Sequence, residues 1–233
     1  MHTMIMPGGG AMSMAWMPMC GQSWIAAASS FVAMWTLMMA AMMLPSWVPA
    51  LWRYRRASRR AGELPRISAT ALVVVGYFLA WILLGAAVYP LGSALMAVTM
   101  RYAVWARVMP VATGMIVLTA GALQFTRWKA HHLACCRSRH SPESLRCGGA
   151  LPAGPLAAVR HGLRLGLHCS QSCAGLTAVL LVAGIMDVPA MIAVTAGITL
   201  ERLAPGGERI ARVIGVIVAG AGMLLIARAA ALS

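Results

Sequence analysis

Residues 24–44 form an apolar run with no charged side chain, and 67–89 repeats the pattern. A run of about 20 apolar residues crosses the hydrocarbon core of a bilayer as a helix, because only there can every backbone polar group be paired internally. Further runs cover 109–125, 173–200 and 210–232. Of 233 residues, 61% are hydrophobic and 10% charged. A water-facing surface usually draws on about a quarter charged residues. The pattern therefore predicts an all-α fold, a polytopic transmembrane helical bundle of about five spanning helices in contact with membrane lipid. No run alternates with period two, which argues against a barrel.

The first run is closed by Pro45 and flanked by Trp47 and Trp52, which suit an interfacial belt. The second is closed by Pro90. The stretch 91–108 carries Arg101 and Arg107 and reads as a loop with an interfacial helix or as a short re-entrant segment. The expected organisation is a Met-rich extracytoplasmic segment at 1–23, then a transmembrane domain at 24–233 with a Cys/His-rich cytoplasmic loop at 127–172. In the last run, Ala211, Gly215 and Ala219 make a small-residue face for close helix packing.

The net charge is +14 and the pI about 11.2. No basic-aromatic nucleic-acid motif accompanies it, so nucleic acid is not the expected partner. In a membrane protein, Arg and Lys collect on the cytoplasmic side. One loop holds Arg53, Arg55, Arg56, Arg59, Arg60 and Arg66, and another holds Arg127, Lys129, Arg137, Arg139, Arg146, Arg160 and Arg164. No Lys or Arg precedes Trp24. With five spans this places the N-terminus outside and the C-terminus inside. The first residues lack the basic and apolar regions of a secretory signal peptide.

Met1, Met4, Met6, Met12, Met14, Met17 and Met19 precede the first run, interspersed with Pro7, Gly8, Gly9, Gly10 and Pro18. Gly and Pro oppose regular structure, so these thioethers are expected to be exposed. An exposed, uncharged row of thioethers suits a soft ion, Cu(I) above all; the alternative is apolar filler on the membrane surface. In the first helix, Met34, Met38 and Met42 recur at i, i+4, i+8 and share a face, with Trp35, Met39 and Met43 in the adjoining row. This is either a thioether track into the membrane or ordinary helix packing.

His131, His132, Cys135, Cys136, His140, Cys147, His161, His168, Cys169 and Cys173 hold all the Cys and His of the chain except His2 and Cys20. His132, Cys135 and Cys136 lie within one helical turn, as do Cys169 and Cys173 beside His168, so a short segment can offer two or three ligands. On the cytoplasmic side their thiols are expected to be reduced. Asp187 is the acidic residue deep in an apolar run, with Pro189 after it. It is either an ion site in the bundle or the cap of a helix broken at 187–189. Glu201 and Arg202 read as a solvated helix end or an internal pair.

The runs MSMAWMPMCGQSW, MWTLMMAAMMLPSWVPALWRYRRA, GYFLAW, QFTRWKAHHLACCR, GLRLGLHCSQSCAG, GIMDVPAM and ITLERLAP resemble, in order and over nearly the whole chain, the DUF2182 family of bacterial predicted metal-binding integral membrane proteins. Some members are associated with copper delivery to a secreted tyrosinase. The resemblance implies a copper chaperone of the inner membrane. Many members are expected to carry a further hydrophobic helix before the Met-rich segment. The family's cysteine motif tends to read CSACC, whereas Ser172 here stands in place of a thiol.

The expected function is therefore Cu(I) binding and delivery to an extracytoplasmic copper-dependent protein. Met12, Met14, Met17 and Met19 would collect the ion. Met34, Met38, Met39 and Met42 would hold or relay it. His132, Cys135, Cys136, His168, Cys169 and Cys173 would form a second site, and Asp187 an intermediate one. Zinc at the Cys/His residues is the alternative metal. A copper transporter running between the Met and Cys/His sides, and a structural subunit of a membrane complex, are the alternative functions. No catalytic dyad, triad or phosphate loop appears, so no enzyme activity is expected. Homo- or hetero-oligomer stays open.

Overall fold

Two prolines that the apolar pattern takes for helix ends lie inside helices. In the computed structural model, α1 spans Trp24–Arg60 and runs on through Pro45, and α2 spans Ile67–Arg101 and runs on through Pro90. A proline removes one backbone bond. Abandoning the helix in lipid would leave many more groups unpaired, so the helix continues. The expected loop at 91–108 is thereby mostly helix: α3, Ala103–Leu123, follows directly. The other described helices are α4, Arg127–Arg137, α5, Pro155–Ala183, α6, Val188–Leu203, and α7, Gly207–Leu232. The structure describes the backbone of residues 3–5, 11–13, 22–60, 67–137, 154–185, 187–204 and 206–232, and the side chains of 22–45, 71–102, 108–133, 154–185, 187–204 and 206–231.

The N-terminal segment holds two short strands where its Gly and Pro content predicts no regular structure. Thr3–Ile5 and Ala11–Ser13 pair as a short antiparallel ribbon with Met4 opposite Met12.

The expected span at 173–200 is also corrected. It is the second half of α5, a break, and α6. At the break Gly184 adopts φ 121°, and Pro189 sits in the first turn of α6. Mean hydropathy stays high across this break, and Asp187 and Pro189 are the residues that mark it. Conversely, His161, Arg160, Arg164 and His168 make the start of α5 resemble a loop, although it is helix from Pro155. The loop drawn over 127–172 is thus helical at both ends.

Among the described residues, four helices are long and apolar enough to cross a membrane: Trp24–Pro45, Ala71–Arg101, Pro155–Ala183 and Gly207–Ala231. Val108–Leu123 with Arg127–Leu133 makes a fifth if the pair, bent by 65°, counts as one span. Large apolar side chains of α7 such as Val213, Val216, Ile217 and Leu224 face outward, as a lipid-facing surface requires.

Glycines set how closely the helices meet. A Cβ on Gly76 would run into the carbonyl of Val159, and one on Gly162 into the carbonyl of Val73. Gly166 abuts Tyr77 and Ala80 in the same way. Residue numbers rise together along this contact, so α2 and α5 run parallel and start at the same end of the bundle. Gly121 against Ala219 and Gly222 against Leu118 bring α3 and α7 together antiparallel, and Gly215 lies on Gln124. The small-residue face of the last helix therefore packs as its spacing predicts. The core between α1, α2, α5 and α6 contains Trp35, Met38, Met39, Met42, Met43, Tyr77, Trp81, Cys169 and Cys173.

Candidate metal centre

Both methionine rows of α1 are drawn into this core. Met39, Met42 and Met43 are sealed from solvent, Met38 nearly so, and Met34 packs partly buried against them. From Met34 to Met43 the helix advances roughly 14 Å, so the thioethers form a ladder along α1. It ends on α5: Cys169 Sγ lies 3.8 Å from Met43 Sδ, in the geometry of a thiol donating to a thioether. The close α2–α5 contact delivers a third helix to the same point, placing Tyr77 Oη 2.9 Å from Cys169 Sγ. The fourth is α6, whose Arg202 Nη2 donates to Cys169 Sγ at 2.9 Å, to Ser172 Oγ at 3.1 Å and to Cys169 O at 3.4 Å.

Cys169 and Cys173 are free thiols, both buried. They stand one turn apart on α5, and Cys173 Sγ is directed at Cys169 O, 3.0 Å away. Ser172 Oγ donates to the same carbonyl at 2.8 Å. Beside them, His168 reaches across to α4, where its Nδ1 lies 3.0 Å from Nδ1 of His132. At that separation one imidazole donates and the other accepts. The rings of Trp128 and His131 each make a T-shaped contact with the His132 ring. The two imidazoles expected to act from different segments are therefore in direct contact.

Glu201, expected at a solvated end or paired with its neighbour, is buried and answered by Lys129 of α4 at 2.8 Å. Asp187 lies exposed at the break before α6 and caps it, accepting from the N–H of Ala190 at 3.5 Å. The capping alternative describes its geometry. The side chains of Cys135 and Cys136 lie outside the described residues, though their backbone continues α4. Met14, Met17 and Met19 lie outside them as well, and Met12 is described as part of the ribbon backbone alone.

Among the described residues, no three or more His, Cys, Asp and Glu side chains gather as a metal cluster. What gathers is sulfur: a thiol, a second thiol one turn on, and a thioether row. Such donors suit soft monovalent copper and not magnesium, calcium or manganese, which take oxygen ligands. A family model described as PpoB2, copper chaperone, matches residues 32–225. This chain belongs to the PpoB2 copper-chaperone family. The DUF2182 likeness is to the same family. The PpoB2 match takes in α1 from just ahead of Met34, the thiols of α5 and Arg202. No curated protein and no solved structure matches.

Sequence spacing singles out Cys169, Cys173, His132, His168 and the α1 methionines. It misses Tyr77, Arg202 and the role of Met43 as the thioether that meets the thiol. A tyrosine inside an apolar run and a charged pair, Glu201–Arg202, closing another were the available signals. Both ask where a polar group in lipid finds its partner.

Proposed function

We propose that this protein is a Cu(I) chaperone of the bacterial inner membrane that hands its ion to a copper-dependent protein on the outer face. The observation that carries this is the contact of Met43 Sδ with Cys169 Sγ at 3.8 Å, inside a core of further thioethers. A thiolate and a thioether in a water-excluded site hold Cu(I) and discriminate against harder ions. Met34, Met38, Met39 and Met42 extend the donor row along α1. His132 and His168 offer imidazole nitrogens beside Cys169. Met12, Met14, Met17 and Met19 collect the ion outside. The common starting end of α2 and α5 supports one sidedness for the Arg-rich stretches 53–66 and 137–164, and so an extracytoplasmic N-terminus.

The test is Cu(I) titration of the purified protein, kept reduced, against a competing colorimetric chelator. Cys169→Ser and Met43→Leu should each weaken binding, Cys169→Ser by at least about 10-fold, the least that loss of even an outer-shell partner costs. Wild-type binding by both variants would place the site elsewhere. In sealed vesicles a chaperone hands copper to an acceptor without flux. Movement of copper across the vesicle wall would instead identify the α1 ladder as a transport path, and retention of zinc alone would move the function to the Cys/His residues.

A further inference from the structure

Cys169 Sγ is met by one group from each of three other helices: Met43 Sδ at 3.8 Å, Tyr77 Oη at 2.9 Å and Arg202 Nη2 at 2.9 Å. A thioether beside the sulfur can share a metal with it. A guanidinium cannot. It has donors and no acceptor, so at 2.9 Å it donates to the sulfur and stands on one side of a metal's approach to it. Its positive charge also repels a second cation on the same atom, strongly so away from bulk water. Metal and Arg202 therefore compete for Cys169.

The guanidinium is not stranded when the sulfur is taken. The same Nη2 already lies 3.1 Å from Ser172 Oγ and 3.4 Å from Cys169 O, both on the adjacent turn of α5. Ser172 Oγ is itself fixed by its bond to Cys169 O. We propose that Arg202 is a displaceable counter-cation of the copper site. It holds Cys169 in the metal-free protein, shifts fully onto Ser172 when Cu(I) binds, and helps expel the ion on its return during handover. The role rests on Cys169 being a copper ligand. The exchange involves no redox change: the thiol proton leaves to solvent as the Cu–S bond forms, the guanidinium keeps its protons, and the ion departs as Cu(I) onto the ligands of the acceptor.

The full-length reduced protein in detergent micelles, loaded with one equivalent of Cu(I), is mixed with excess chelator and the transfer is followed in time. Arg202→Gln should keep the wild-type stoichiometry and release copper about tenfold more slowly, the size of a typical coupling between two competing ligands. Arg202→Lys should restore most of the rate. A merely loosened site loses metal faster, so the direction of change separates the two causes. Release by Arg202→Gln at or above the wild-type rate overturns the role. Ser172→Ala removes the alternative acceptor and should lower Cu(I) affinity several-fold. It carries the test if Arg202→Gln does not fold, and an unchanged affinity there overturns the role. Cys169→Ser is measured alongside. If it binds copper like the wild type, the sulfur site itself falls and this role with it. If it is impaired while Arg202→Gln releases copper like the wild type, this role falls alone.

Discussion

Glu201 and Arg202 are neighbours in the last turn of α6, yet they are held in opposite ways. Glu201 has a full opposite charge against it, Lys129 at 2.8 Å, with both side chains almost wholly enclosed. Arg202 is half-buried and shares one nitrogen among a sulfur, a hydroxyl and a carbonyl. The first arrangement sets one enclosed charge directly on another, and losing either member takes away the opposite charge that answers it. The second has several near-equivalent solutions, and losing any one acceptor leaves others. Adjacent residues thus supply a fixed tie between α4 and α6 and an exchangeable contact between α6 and α5.

The sharpest way to break this contrast is to remove one half of the tie. Glu201→Ala or Lys129→Met should lower stability by about 3–5 kcal/mol, and Lys129→Met with Glu201→Met together should recover most of it. Denaturant unfolding in micelles would measure this. Equal damage from the single and double variants would mean that the pair acts through packing and not through charge. A smaller effect is expected in the sulfur core. Met38→Leu with Met42→Leu conserves volume and apolar character, so stability should fall by less than about 1.5 kcal/mol, while bound copper, read by metal analysis, should drop. Full copper content in a well-folded double variant would make these two methionines packing alone. The smallest structural effect belongs to the N-terminal run. Replacing Met12, Met14, Met17 and Met19 with Leu should leave the unfolding midpoint unchanged and slow copper acquisition, as followed by time-resolved metal uptake.

The apolar runs announce a helical membrane bundle because lipid leaves the backbone so few alternatives. The i, i+4 spacing of Met38 and Met42 places them on one face, and both are in the core. The same logic fails at α5. There hydropathy follows side-chain composition, whereas the break follows backbone geometry at Gly184, and imidazoles and arginines on a helix read like those of a loop. Cys169 is a candidate from sequence, but its meeting with Tyr77 depends on Gly76, Gly162 and Gly166 letting α2 and α5 touch backbone to backbone. Lys129 counts as one more cation in a basic stretch until the fold brings Glu201 to it. Spacing reveals what one helix offers; it says nothing about which helix comes to meet it.

The cap that Asp187 places on α6 turns that helix into a ruler. Its first turn is fixed by the Gly184 break and the capped N–H of Ala190, and its last turn must bring Glu201 to Lys129 and Arg202 to Cys169. Each added residue would carry the far end about 1.5 Å onward and 100° around. Single insertions in α6 would then separate both contacts at once. A four-residue insertion would restore the facing direction while carrying Arg202 about 6 Å beyond the sulfur. The number of residues in α6, as much as their chemistry, is what places a cation on Cys169.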